Sequence, residues 1–92
     1  MRDDEFEWDD GKAKRNFRDH RVTFEVARSA FDDPDSIDRE DTDPDEERFS
    51  RLCRLDHRLF VVVWTTRGNR VRIISARLAN KHEQQAYFRQ KA

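Results

Sequence analysis

The stretch that most restricts how this chain can fold is the apolar, β-branched run "RLFVVVWTT" at residues 58–66. A run of this kind is typical of a strand that is buried on both faces. The segments on either side, 49–55 and 70–79, also have strand composition, and short turns at 56–58 and 67–69 separate the three. Because short connections favour antiparallel neighbours, the sequence predicts a three-stranded antiparallel meander.

The N-terminal third predicts a short strand followed by two helices. Residues 5–8, "EFEW", alternate between polar and apolar as in an edge strand. Asp9 or Asp10 can cap a helix that runs to about His20. Thr23 can cap a second helix, because the residues after it repeat apolar side chains at helical spacing.

The acidic segment 32–48 predicts mostly loop, with a short strand around Ile37. After the meander, Asn80 and Glu83 have the spacing of a capping box for a last helix, residues 81–91. The order of strand, helix, helix, meander and helix is α+β, and 92 residues allow one domain with one small core.

Charge is segregated along the chain although the net charge is −1. Residues 32–48 carry a net −8, whereas residues 49–92 carry ten basic and two acidic side chains, a net +8. A basic C-terminal half suits a phosphate-rich partner such as RNA. The alternative, that the acidic and basic parts pair with each other, stays open.

Composition also excludes several classes of protein. The single Cys53 cannot form an internal disulfide, no apolar run approaches the ~20 residues of a membrane span, and the acidic N-terminus lacks the features of a secretory signal. We therefore expect a cytoplasmic protein with no membrane association. No zinc-type cluster and no glycine-rich phosphate loop is present, so no cofactor and no metal are expected.

The third strand of the meander carries arginines at its start, middle and end. Strict alternation divides it into two faces, one with Val71, Ile73 and Ser75 and the other with Arg72, Ile74 and Ala76. Together Arg70, Arg72 and Arg77 could line one cationic end of the sheet.

A series of motifs extends over most of the chain in a fixed order: "FEWD" (6–9), Lys12, Asn16, His20, "VTFEVA" (22–27), "FDDP" (31–34), Glu47-Arg48, "VVVWTTRG" (61–68), "RIISAR" (72–77), Glu83 and Tyr87. Their order and spacing resemble the BrnT toxins of type II toxin–antitoxin systems. Three positions depart from the family pattern: Arg21 and Cys53 stand where Gly is usual, and Trp64 stands where Tyr is frequent.

The resemblance implies an α+β fold of the RelE-like microbial ribonuclease type. It implies an endoribonuclease toxin that cleaves RNA and inhibits translation. It further implies a BrnA-like ribbon-helix-helix antitoxin as partner, a dimer of toxin–antitoxin heterodimers, and binding of operator DNA only through that complex.

Metal-independent RNA cleavage needs a base for the ribose 2′-OH, an acid for the leaving 5′-oxygen, and cations for the phosphoryl oxygens. Arginine suits the last role, because its planar fork contacts two phosphate oxygens and keeps its charge. Arg77 is the first candidate, with an ion pair to Glu47 or Glu83 as the alternative. Arg72 is the second, with the alternative that it is an exposed sheet residue. Further contacts to RNA are expected from Arg48, Arg70, Lys81 and His82.

The acid and base are less well defined. His20 is the only histidine on a motif position, and a role at the helix end is the alternative. Glu83 is a candidate base or the capping-box carboxylate, and Tyr87 is a candidate acid or a core residue. A different class of function also remains: a non-catalytic RNA- or partner-binding module, or a degenerate toxin that acts only as a corepressor.

Overall fold

The computed structural model describes residues 1–91. Its elements, in chain order, are β1 Phe6–Glu7, α1 Asp10–His20, α2 Phe24–Ser29, a 3-10 turn Ala30–Asp32, β2 Ile37–Asp41, β3 Arg48–Leu55, β4 Arg58–Arg67, β5 Arg70–Leu78 and α3 Lys81–Lys91. The predicted α+β class is confirmed. No helix in residues 1–91 has the length and apolarity needed to cross a membrane.

The strands form one mixed sheet of five strands in the order β1-β5-β4-β3-β2, in which β1 is parallel to β5 and the other neighbours are antiparallel. The predicted separation into a short strand and a three-stranded meander was therefore incomplete. The acidic segment supplies β2, a full edge strand, because its carboxylates lie opposite arginines of β3. Asp38 pairs with Arg51 at 2.7 Å, and Asp41 lies opposite Arg48.

The sheet has two faces, which differ in how completely helices cover them. The larger core lies on the face covered by α1 and α2, called here the α1 face, and contains Phe6, Trp8, Val22, Phe24, Ala27, Ala30, Cys53, Phe60, Val62, Ile73 and Ala76. A smaller core lies under α3, on the opposite α3 face, and contains Leu52, Leu59, Val61, Ala79 and Tyr87. Because α3 covers only part of its face, the rest of that face is open to ligands.

A β-bulge in β5 changes which side chains share a face. Trp64 of β4 lies opposite Ile73, but the preceding Val63 lies opposite Ser75, so Ile74 is the extra residue. Ala76 is therefore in the same core as Ile73, and the prediction that it shares a face with Arg72 was wrong. Ser75 correspondingly moves to the α3 face, because strict alternation cannot anticipate an inserted residue.

The bulge brings the arginines of β5 to one side. Arg72 lies opposite Thr65, and Arg77 lies opposite Val61, which belongs to the core under α3. Since directly opposed residues project from the same face, both arginines belong to the α3 face. Without the extra residue, Arg77 would project toward α1.

The edge of β5 beyond β1 is completed by a side chain, that of Asn16. Its Nδ2 donates hydrogen bonds to the carbonyl oxygens of Val22 (2.9 Å) and Ala76 (2.8 Å). Its Oδ1 accepts one from the N–H of Ala76 at 3.0 Å. With only 7% of its surface exposed, Asn16 satisfies both backbone groups of a strand residue that β1 is too short to reach.

The caps agree with the chemistry of the sequence. Asp9 accepts from the N–H of Lys12, and Thr23 accepts from the N–H of Val26, so these N-caps are confirmed. Asn80 and Glu83 exchange reciprocal hydrogen bonds of 2.8 Å each, which confirms the capping box. At the C-terminus of α1, Arg21 adopts the left-handed conformation (φ 59°), which glycine adopts most readily.

The one thiol of the chain is buried. Cys53 is fully buried in the core on the α1 face and lies opposite Phe60. Burial raises the pKa of its thiol to about 12, so the reactive thiolate does not form near neutral pH.

We expect Asn16→Ala to lower the free energy of unfolding by about 3 kcal/mol or more, because two carbonyls and one N–H lose their partners and each unsatisfied buried group costs ~1–3 kcal/mol. Urea denaturation measures the change. Gln85→Ala, which removes an exposed amide from α3, is the matched control and should change stability by less than about 0.5 kcal/mol. Equal losses in the two variants would contradict the role assigned to Asn16.

Candidate active site

The arginines near the start of β5 are held by the N-terminal segment. Parallel pairing puts Glu7 of β1 beside Arg72, and the carboxylate accepts a hydrogen bond from Nη1 at 2.6 Å. Arg70 donates from Nε to the carbonyl oxygen of Asp3 at 2.7 Å. The alternative that Arg72 is merely an exposed sheet residue does not hold, because its side chain is only 21% exposed and is fixed in place.

Arg77 forms the ion pair that the sequence offered as its alternative role. Its two terminal nitrogens donate to the two carboxylate oxygens of Glu83, each at 2.8 Å. The Arg77 guanidinium is the main cause of the lowered pKa of Glu83. Nevertheless, 42% of the Arg77 side chain is exposed, so a phosphate can still approach it.

A cleft of about 190 Å³ separates α3 from the neighbouring strands of the sheet. Its apolar lining consists of Ile37, Leu52, Val61 and Ala86, and its polar lining consists of Arg39, Ser50, His82, Glu83 and Arg89. The cleft therefore combines aliphatic surface with several cationic groups, as a nucleotide site requires. Because Glu83 lines it, the cleft adjoins Arg77.

Two of these cations, Arg39 and Arg89, were missed by the sequence analysis. Arg39 lies in the acidic segment, whose composition hid it. Arg89 is seven residues after His82 and shares a helix face with it, a spacing that could have revealed it. Both side chains are exposed, and neither forms an ion pair with any residue in the range 1–91.

The other predicted RNA contacts differ in how available they are. Lys81 and His82 are exposed in the first turn of α3. Arg48, in contrast, lies among carboxylates: Asp43 at 2.7 Å, Asp41 at 3.7 Å and Glu46 at 3.8 Å. These carboxylates of the β2–β3 hairpin neutralise the charge of Arg48, which is therefore less available to RNA than Lys81 or His82. Despite these acids, no group of three or more His, Cys, Asp or Glu side chains in the described chain could hold a metal ion.

Tyr87 is buried beneath α3, with 1% of its surface exposed. Its hydroxyl donates to Asp33 at 2.8 Å, and Asp33 also accepts from the N–H of Arg54. Burial and the neighbouring Asp33 carboxylate raise the pKa of Tyr87 to about 12. The residue thus connects α3 to the chain that precedes β2, which is the core role offered as its alternative.

His20 and Trp64 both belong to the α1 side of the sheet. His20 is exposed at the end of α1 and lines a groove with Val22 and Phe60, which are core residues of the α1 face. Trp64 packs its ring 5.7 Å from that of Phe31. The structure therefore places Arg72 and Arg77 on the α3 face, joins Arg77 to Glu83, which lines the cleft with His82, and separates His20 from them.

The family model for "Ribonuclease toxin, BrnT, of type II toxin-antitoxin system" matches residues 8–83 of this chain. The chain belongs to the BrnT family. A comparison with curated proteins found no match. As a BrnT family member, the chain belongs to a family of ribonuclease toxins, and the type II system implies an antitoxin as its partner. The matched residues include Asn16, Arg72, Arg77 and Glu83.

We expect Tyr87→Phe to lower the free energy of unfolding by about 1–2 kcal/mol, because a buried hydrogen bond to a carboxylate is lost. The rate of RNA cleavage per folded molecule should not change. Denaturation and a cleavage assay on the same preparation measure both effects. A variant as stable as the wild type but inactive would instead place the hydroxyl in the reaction.

The pairing of Arg77 with Glu83 predicts a specific loss of stability in acid. Because the folded-state pKa of Glu83 lies below its ordinary value of 4.5, its contribution is fully present above pH 4.5 and is lost as the pH falls through the folded-state pKa. Arg77→Gln should therefore flatten the decline of Tm with acidification. Arg67→Gln, which changes an exposed arginine without an ion pair in the described chain, is the control and should leave the decline unchanged.

Proposed function

We propose that this chain is a metal-independent endoribonuclease toxin on a fold of the RelE-like type, which cleaves RNA and thereby inhibits translation in the cytoplasm. The ribose 2′-OH attacks the adjacent phosphorus, which gives a 2′,3′-cyclic phosphate and a free 5′-hydroxyl. The observation that carries the proposal is the set of arginines on the α3 face beside the cleft under α3. The family match supports the ribonuclease class.

Arg72 is built to receive a phosphate while it is held in place. Of its guanidinium nitrogens, only Nη1 donates a hydrogen bond to another described residue, the one to Glu7. Its Nε and Nη2 remain as donors for a phosphate oxygen, so substrate binding need not break the ion pair. A guanidinium fixed in advance stabilises developing negative charge without reorganisation.

Arg77 acts from the other end of the strand. Glu83 holds both terminal nitrogens, so the fork is oriented, and its exposed edge faces the solvent beside the cleft. Glu83 is thus a positioning residue for Arg77 in addition to capping α3. Arg39 and Arg89 add unpaired charge to the lining of the cleft and would contact neighbouring phosphates of the strand.

We assign proton transfer to His82 in place of His20. Of the three histidines, His82 is the one that lines the cleft, whereas His20 and His57 line grooves elsewhere. A histidine side chain can exchange a proton in the physiological range, which Arg72 and Arg77 cannot do. In this arrangement the arginines bind the phosphoryl group, and His82 moves a proton at the attacking or leaving oxygen.

The partner of the toxin is proposed to be a BrnA-like ribbon-helix-helix antitoxin. The complex would be a dimer of toxin–antitoxin heterodimers that binds operator DNA only through the antitoxin. The family match supports an antitoxin partner in general, and its BrnA-like identity is the proposal. The open, cationic α3 face is where an antitoxin would block access of RNA to Arg72 and Arg77.

One observation favours a second candidate function. Both Arg72 and Arg77 already have carboxylate partners, which reduce the net charge available to phosphate. A degenerate toxin that binds RNA or its antitoxin without cutting, and acts only as a corepressor, would have the same contacts.

Cleavage of a labelled RNA by the purified protein, with and without EDTA, tests the proposal. We expect cutting that resists EDTA and falls about a hundredfold in Arg72→Ala, Arg77→Ala and His82→Ala, since one lost charge-stabilising donor typically costs ~10²–10³ in rate. Arg18→Ala breaks an exposed ion pair with Asp19 on α1 and is the matched control, with unchanged activity.

Each contrary outcome has a distinct meaning. Cutting that EDTA abolishes would refute metal independence. RNA binding without cutting would favour the corepressor, and full activity in the arginine variants would exclude the α3 face as the active site.

A further inference from the structure

Two adjoining grooves at the end of the sheet where β4 begins and β5 ends are outside the proposed active site. The first, about 170 Å³, is lined by His20, Arg21, Val22, Thr23, Val26, Arg58, Phe60 and Leu78. The second, about 240 Å³, is lined by His57, Arg58, Leu59, Leu78, Ala79, Gln84 and Phe88. The two share Arg58 and Leu78 and form one continuous surface, called here the end groove.

The end groove exposes apolar side chains that a soluble protein ordinarily covers. Leu78 is 41% exposed and Phe88 is 52% exposed, and both lie in the second part of the groove. The half-buried Val26 adds aliphatic surface to the first part, above the buried Val22 and Phe60. Leu78 and Phe88 together offer a partner an apolar contact within the groove.

The charge of the end groove has one sign. Its lining contains Arg21 and Arg58 with two histidines and contains no carboxylate, in a chain that has more acidic than basic residues. Arg21 stacks over the ring of Phe17 at 5.3 Å. Neither arginine forms an ion pair with another residue in the described range 1–91. Both are therefore available to carboxylates of another molecule.

We propose that the end groove is an anchoring site for the antitoxin, which would insert an amphipathic segment with apolar side chains in the groove and carboxylates against Arg21 and Arg58. The inference depends on the antitoxin that the family implies and not on the proposed cleavage. Apolar contact with Leu78 and Phe88 suits the side chains of a protein segment, whereas RNA, whose bases would stack on Phe88 or on the arginines, is the alternative that the test below distinguishes. A second copy of the chain fits less well, because its acidic hairpin, "REDTDPDEER" at 39–48, has no apolar side chain to insert.

The position of the groove also fits inhibition. The second part of the groove is lined by Leu59 and Ala79, which belong to the core under α3, and by Phe88 of α3, so a segment anchored there ends beside the α3 face on which Arg77 lies. An anchor here would let the rest of the antitoxin extend over Arg77, while the groove itself would supply affinity without touching the catalytic groups.

The test compares two residues of the end groove with Lys14, an exposed lysine of α1 that lines neither part of the groove. Arg58→Glu and Leu78→Ser should each weaken binding of the purified antitoxin by about tenfold or more, the size expected for an interface residue worth ~1.4 kcal/mol. Lys14→Glu should change that affinity by less than about twofold. Calorimetric titration measures the affinities, and thermal denaturation verifies that each variant is folded.

Three outcomes would overturn the proposal. Equal affinity of the antitoxin for all three variants would show that the groove is not its anchor. Loss of RNA binding in Arg58→Glu with unchanged antitoxin affinity would assign the groove to RNA. Loss of toxin self-association in Leu78→Ser, again with unchanged antitoxin affinity, would assign it to a second copy. If the wild type fails to cut RNA but the variants separate as expected, only the proposed cleavage fails.

Discussion

The arrangement of this molecule depends on the amide of Asn16. In the described structure it is the side chain that satisfies both backbone groups of Ala76, at the point where β5 has just passed its bulge and β1 has already ended. The same amide binds the carbonyl of Val22 beyond the end of α1. It therefore links the helix layer to the part of β5 that follows the bulge. In that part the side chains alternate so that Ala76 faces the helices α1 and α2 and Arg77 projects toward α3.

Charge pairs have a second structural role, in the edge strand β2. This strand offers little apolar surface, and its carboxylates lie opposite arginines of β3. Exposed ion pairs contribute only about 0–1 kcal/mol each, so we infer that β2 is held less firmly than the central strands β3, β4 and β5. Since Ile37 and Arg39 of β2 line the cleft, that wall of the candidate site is the one that can adjust to a ligand.

Local patterns were sufficient for much of the architecture. Apolar runs located β3, β4 and β5, and the capping chemistry of Asp9, Thr23 and the Asn80–Glu83 pair located the helix starts, because these signals act within a few residues. The predicted short strand around Ile37 is confirmed as β2, but its full length to Asp41 could not be predicted, since its partners are arginines of the next strand and its own side chains do not alternate. The bulge at Ile74 was equally invisible, because an inserted residue is defined only by the register with β4.

The sequence predicted the kind of ligand that the candidate site binds, but it did not predict all the residues that form the site. A basic half with arginines along one strand indicated phosphate binding, yet the sequence could not show that Arg48 is neutralised by its own hairpin or that Tyr87 reaches Asp33. Both contacts depend on how the chain is folded. Arg39 and Arg89 entered the site for the same reason, as residues far apart in sequence that the sheet and α3 bring to one cleft.

The single buried thiol allows opening of the sheet to be measured by the rate at which a thiol reagent modifies it. Cys53 lies within β3 against β4, and its Sγ is 3.7 Å from the carbonyl oxygen of Phe60 across the strand pair. A thiol reagent can reach it only when β3 separates from the core, so the rate of alkylation counts those openings directly. Any partner that stabilises the sheet, whether it binds the cleft or the end groove, would lower the rate of Cys53 alkylation without contacting the sulfur.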